Sequence, residues 1–126
     1  MKANELMVGD WVNISPSQYR DGFVGRVAEV YSDSIFTAGG KYEGENVDEV
    51  YVYPVKLTAD ILRENGFVKI GDGYLMTGRP AHSFALRSVS DGLFVARIGD
   101  RCVIFAWVHE LQHALKLCRI EKEIKL

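Results

Sequence analysis

The chain reads as an α+β protein: an N-terminal SH3-like small β-barrel, then an antiparallel β-meander with a short helix and a C-terminal helix. Three observations predict this. Short strand-like runs recur between turn residues along most of the chain. Nearly every turn after residue 66 contains Gly, which suits hairpins. Only two stretches carry helical signals, 58–65 and 107–118. The 126 residues suffice for one domain or two very small ones. Pro54 to Leu57 is the expected boundary, giving an SH3-like β module over 1–55 and an α+β module over 56–126. Neither half is comfortably large alone, so the two are expected to share a core.

Val8-Gly9-Asp10-Trp11-Val12 opens the first strand, as in small SH3-like barrels: Gly and Asp make the turn, and Trp and Val enter the sheet. Ser15 to Gly22 is a polar loop. Phe23 to Tyr31 is the second strand, with Gly25 marking a bulge or a close approach. Ile35 to Ala38 is the third, broken by Gly39-Gly40. Lys41 to Asp48 is polar and acidic, and Val50 to Tyr53 is a further strand ended by Pro54. Tyr19, Tyr31, Tyr42, Tyr51 and Tyr53 suit strands, and they also suit a peptide or nucleic-acid groove.

Thr58 is placed to N-cap a helix through Asn65, with Leu57 and Leu62 at the two positions of a hydrophobic staple and Gly66 just past the end. Hairpins follow. Phe67 to Ile70, Tyr74 to Thr77, Ala81 to Val89, Leu93 to Ile98 and Arg101 to Ala106 are strands, and Gly71-Asp72-Gly73, Gly78-Arg79-Pro80, Ser90-Asp91-Gly92 and Gly99-Asp100 turn the chain. Both faces of Arg101 to Ala106 are apolar, so that strand is expected to be central or covered on both sides. Ile124 to Leu126 is expected to add a short last strand.

The stretch Trp107 to Cys118 is the best helix and holds the one catalytic-looking pattern, His109-Glu110-Leu111-Gln112-His113. At ~100° per residue, Ala114, Cys118, Leu111, Leu115 and Val108 fall in one arc of roughly 120°. His109 and His113 fall nearly opposite, so both imidazoles are expected to look into water. In a zincin, two histidines at i and i+4 share the metal and the Glu acts as base on its water. Catalytic zinc takes a third protein ligand. The metzincin extension fails, because Lys116 and Arg119 stand at its Gly and His positions. Glu121, Glu123 and His82 are the remaining third-ligand candidates. The expected reading is therefore an ordinary helix with no catalytic or metal residue, no bound metal and no cleft behind Glu110. The alternative is a minimal zinc metallohydrolase with Glu110 as base and His109 and His113 as ligands.

A net charge of −2 and a pI of about 5.9 argue against a broad nucleic-acid footprint. Lys116, Arg119, Lys122 and Lys125 are interleaved with Glu121 and Glu123, as on a solvated face. No secretory signal and no membrane-length apolar run stands in the sequence. Cys102 and Cys118 form no framework and sit in apolar settings, which predicts buried, reduced thiols in a cytoplasmic protein.

Three stretches, MKANELMVGDWV, YPVKLTADILRENGF and WVHELQHALKL, carry a resemblance. Together they resemble a family of small proteins of unknown function encoded in gut Bacteroidetes genomes, often in prophage or other mobile regions. The family's end pattern is similar to V-H-x-L-Q-N, with Asn where this chain has His113, which implies that His113 is a local variation. The resemblance implies a fold and a setting, and no reaction. The expected function is a non-enzymatic accessory protein of a phage or mobile element, acting through an unknown protein or nucleic-acid partner and not through a membrane. A DNA-binding accessory is a third reading, and it predicts strongly salt-dependent binding.

Overall fold

The computed structural model describes residues 1–15, 22–38, 44–76, 84–98 and 100–126. They form two antiparallel sheets of five strands each and two α-helices, an α+β architecture. The chain divides into two compact units, Met1–Val55 and Lys56–Leu126. His82, Tyr19, Tyr42, the turns at 39–40 and 78–80, and most of the 15–22 loop lie outside the described residues.

The first unit contains β1 (Trp11–Ile14), β2 (Phe23–Val30), β3 (Ser34–Ala38), β4 (Asn46–Asp48) and β5 (Val52–Pro54), in the order β4-β3-β2-β1-β5. A tight turn leads in. Gly9 takes a left-handed φ of 95°, the Asp10 N–H donates to the Met7 carbonyl at 3.1 Å, and the Asp10 carboxylate accepts from the Met7 N–H at 2.8 Å. Strand alternation then turns Val12, Ile14, Val27, Ile35 and Val52 onto one buried face, packed with Ala3 and Leu6.

Two expectations for this unit are corrected. The barrel is not closed: β4 and β5 are the two edges of an open sheet. Val50 to Tyr53 is not one strand, because Glu49–Tyr51 forms a 3₁₀ turn, with the Asp48 side chain accepting from the Val50 N–H at 3.0 Å. The acidic stretch ends in β4, which pairs with β3. Gly25 marks a close approach, since a Cβ there would stand 3.1 Å from the Phe23 ring. The irregularity of β2 lies instead between Val27 and Glu29.

In the second unit, α1 (Ala59–Glu64) is capped by Thr58, whose hydroxyl accepts from the Ile61 N–H at 3.2 Å. Leu57 and Leu62 are fully buried, and Gly66 closes the helix at φ 86°. The strands are β6 (Phe67–Ile70), β7 (Gly73–Met76), β8 (Ala85–Ser90), β9 (Leu93–Ile98) and β10 (Arg101–Phe105), each paired with the next. The meander is antiparallel throughout, as its glycine-bearing turns predict. Phe67, Tyr74, Leu86, Phe94 and Phe105 are buried on one face. Helix α2 (Val108–Leu117) packs next to β10.

Three further corrections concern this unit. Strand β10 is an edge, and Cys102, Val103 and Ile104 are exposed, so apolar character on both faces does not reflect a central position. Cys102 is correspondingly exposed and Cys118 half-buried, where buried thiols were expected. Residues 124–126 form no strand. Ile124 is buried, and the adjacent Lys125 backbone is held by the Asn65 side chain.

Candidate functional site

Helix α2 carries the H-E-x-x-H pattern, and packing separates its parts. His109 is 7 % exposed, which overturns the expectation that it faces water. Ala114, Leu111, Leu115, Val108, Gln112 and His109 are all buried, which at ~100° per residue encloses roughly 220° of the helix. The apolar stripe accounts for only part of that arc. His109 and Gln112 complete it as buried polar side chains. His113 is half-buried, and its ring meets that of His109 edge-on at 5.6 Å between centroids.

Glu110 is occupied by the backbone. Its Oε1 accepts from the Ala106 N–H at 3.0 Å and from the Trp107 N–H at 3.1 Å. Glu110 stands at the third helical position, so this is the carboxylate half of a capping box. The reciprocal half has no chemistry here, because the indole of Trp107 offers no acceptor. The carboxylate thus ties down the chain that enters the helix, on the end where a negative charge also suits the helix dipole.

An open groove of about 270 Å³ lies beside the motif, lined by Ile98, Val103, Phe105, Glu110, His113, Ala114 and Leu117. This corrects the expectation of no cleft at Glu110. Glu110 and His113 border the groove, and His109 does not line it. Among the described residues no group of three His, Cys, Asp or Glu side chains is arranged to hold a metal. Glu121 and Glu123 are exposed beyond the helix end.

A second candidate lies in the first unit. A cleft of about 270 Å³ is lined by Ile14 and Ser15 at the end of β1, Phe23 at the start of β2, Glu45, Asn46, Val47 and Asp48 around β4, and Tyr51 of the 3₁₀ turn. The Ser15 N–H donates to the Tyr51 carbonyl at 2.8 Å, which fixes one wall against the other. Phe23 also borders a neighbouring depression with Tyr53. Tyr51 and Tyr53 are each about half exposed. Among the described residues, Tyr51 is the tyrosine that lines this cleft, and Tyr53 borders the neighbouring depression. Phe23, Glu45 and Asp48 were missed, because they stand in two separate segments and only sheet pairing brings them together.

No family model matches the chain, and no match emerged among curated proteins or solved structures. Among the described residues no helix is long and apolar enough to cross a membrane.

Proposed function

We propose that the protein is a non-catalytic interaction module that takes a segment of a partner protein in the cleft of its first unit. The observation that carries this reading is the cleft's lining, with aromatic rings from Phe23 and Tyr51 beside the carboxylates of Glu45 and Asp48. An aromatic face next to carboxylates suits an Arg or Lys side chain on an extended peptide, through cation–π contact and ion pairing. The same carboxylates oppose a phosphate backbone, which favours protein over nucleic acid. The strand order, with a 3₁₀ turn before the last strand, supports an SH3-like kinship for this open sheet. A prophage or other mobile region is the setting the sequence resemblance implies.

The zinc hydrolase alternative is the weaker reading. Its base, Glu110, is bound by two amides of its own chain, and His109 does not line the groove that His113 borders.

The test is selection of peptides from a random displayed library on the full-length protein, followed by calorimetry. The expected binders carry Arg or Lys, and Tyr51→Ala and Glu45→Lys each weaken them by ~10-fold or more. Binders indifferent to both substitutions, or no binders at all, would count against the cleft.

A further inference from the structure

Strand β10 ends its sheet, with no further strand on its outer edge among the described residues. Its one partner strand among the described residues is β9, in register from Arg101↔Ile98 to Phe105↔Phe94 without a shift. Two residues separate Ile98 from Arg101, so that pair is the hydrogen-bonded kind, and Val103 and Phe105 follow in the same phase. Cys102 and Ile104 therefore direct their N–H and C=O groups away from β9. Sheet edges are ordinarily blunted by Lys, Pro, a bulge or a cover. Arg101–Phe105 has no Lys, no Pro and no bulge. Its side chains add to the exposure: Val103 is 36 % and Ile104 59 % accessible, and Leu117, which borders the groove beside Val103, is 74 % accessible.

We propose that β10 is a self-association edge, on which a second copy of the chain adds its own β10 antiparallel about a two-fold axis at Cys102. Unpaired main-chain groups need a main-chain partner, and an antiparallel copy of the same strand supplies it while keeping like faces together. The register follows from what is already engaged. The Ala106 carbonyl accepts the Leu57 N–H at 3.0 Å and Trp107 bridges to Lys56, so an incoming strand cannot extend past Phe105. Centring on Cys102 respects that limit, whereas centring on Val103 would bring Asp100 of the second copy against Ala106. The chosen register also keeps charge apart. Arg101, the one charged residue of the strand, falls opposite Val103 of the second copy and not opposite its own equivalent. The result is a ten-stranded sheet, with the α2 grooves on one side of the seam. This surface lies in the second unit and does not depend on the cleft reading.

The experiment is sedimentation of the full-length chain over a range of concentrations under reducing conditions. A reversible dimer is expected, half-formed at ~10–100 µM as for a small interface. Cys102→Pro removes an outward N–H that β9 does not use, and Ile104→Lys places a charge on the edge. Each is expected to weaken dimerisation by ~10-fold or more with the melting transition of the monomer kept. In a Cys118→Ser chain, a short bis-maleimide is expected to join the two copies through Cys102. A monomer at ~0.5 mM, a dimer that survives Ile104→Lys unchanged, or a dimer that Cys102 does not cross-link would overturn the proposal.

Discussion

Asn65 grips Lys125 by both ends of its amide: Oδ1 accepts the Lys125 N–H at 2.7 Å, and Nδ2 donates to the Lys125 carbonyl at 2.8 Å. The same Nδ2 donates to the Ile61 carbonyl at 2.8 Å, at the end of α1. One buried side chain therefore plays the part of a neighbouring strand and joins the C-terminal segment to a helix sixty residues earlier. Asn65→Ala should cost about 2–4 kcal/mol, since several bonds are lost and buried backbone groups are stranded. Asn65→Asp should recover little, because a carboxylate cannot donate to the two carbonyls. Urea denaturation of the three proteins checks the order.

Arg119 is the one described non-glycine residue with positive φ, at 57°. It closes α2 in a Schellman arrangement: the Ile120 N–H donates to the Leu115 carbonyl at 2.9 Å and the Arg119 N–H to the Lys116 carbonyl at 3.0 Å. Arg119→Gly should stabilise the protein by about 0.5–1 kcal/mol, because relief of left-handed strain outweighs the added freedom of the unfolded chain. Arg119→Val should destabilise it. Thermal melts of both variants read the sign.

Glu110 acts on the fold through its cap. Glu110→Ala should cost about 1–2 kcal/mol, and Glu110→Gln less, because an amide oxygen still accepts from Ala106 and Trp107. Equal losses in the two variants would show that charge, and not the hydrogen bonds, governs the helix start. Denaturant midpoints decide between them.

The two histidines should separate in stability. His109→Ala empties a buried position and should cost about 1–3 kcal/mol, whereas His113→Ala, half-buried, should cost under about 1 kcal/mol. Equal costs would contradict the burial difference. Metal analysis of the full-length chain purified without a metal column tests the hydrolase alternative: stoichiometric zinc that His113→Ala abolishes would revive it.

Tyr31 donates its phenol to the Glu29 carboxylate, and that bond, with desolvation and the nearby charge, holds its ionisation above the ordinary tyrosine value of 10.0. The stability it contributes is present below the ordinary value and is lost as pH rises through the raised one. Glu29→Gln should move the Tyr31 titration back down, as followed by NMR of the ring carbon. No movement would mean that the bond does not persist in solution.

Local chemistry was legible where neighbours in sequence decide the outcome. Thr58 and Gly66 bound α1 as their side chain and φ require, Gly9 and Asp10 make their turn, and the glycine-bearing turns after residue 66 yield consecutive antiparallel pairs. These need only backbone conformation and bonds a few residues long. The same physics explains why the α+β class was readable.

What a residue faces was a different matter. Arg101 to Ala106 has an apolar pattern that fits a central strand as well as an edge, and only the order of strands assigns β10 to the edge with Cys102 in the open. His109 looked outward because a helical wheel knows one stripe, while the folded helix is enclosed over a wider arc. Glu45, Asp48 and Phe23 share a cleft only because three strands pair. Caps, turns and alternations are local, so neighbouring residues specify them. Edge, burial and cleft were settled only on folding, because each depends on which distant segments remove water from a side chain.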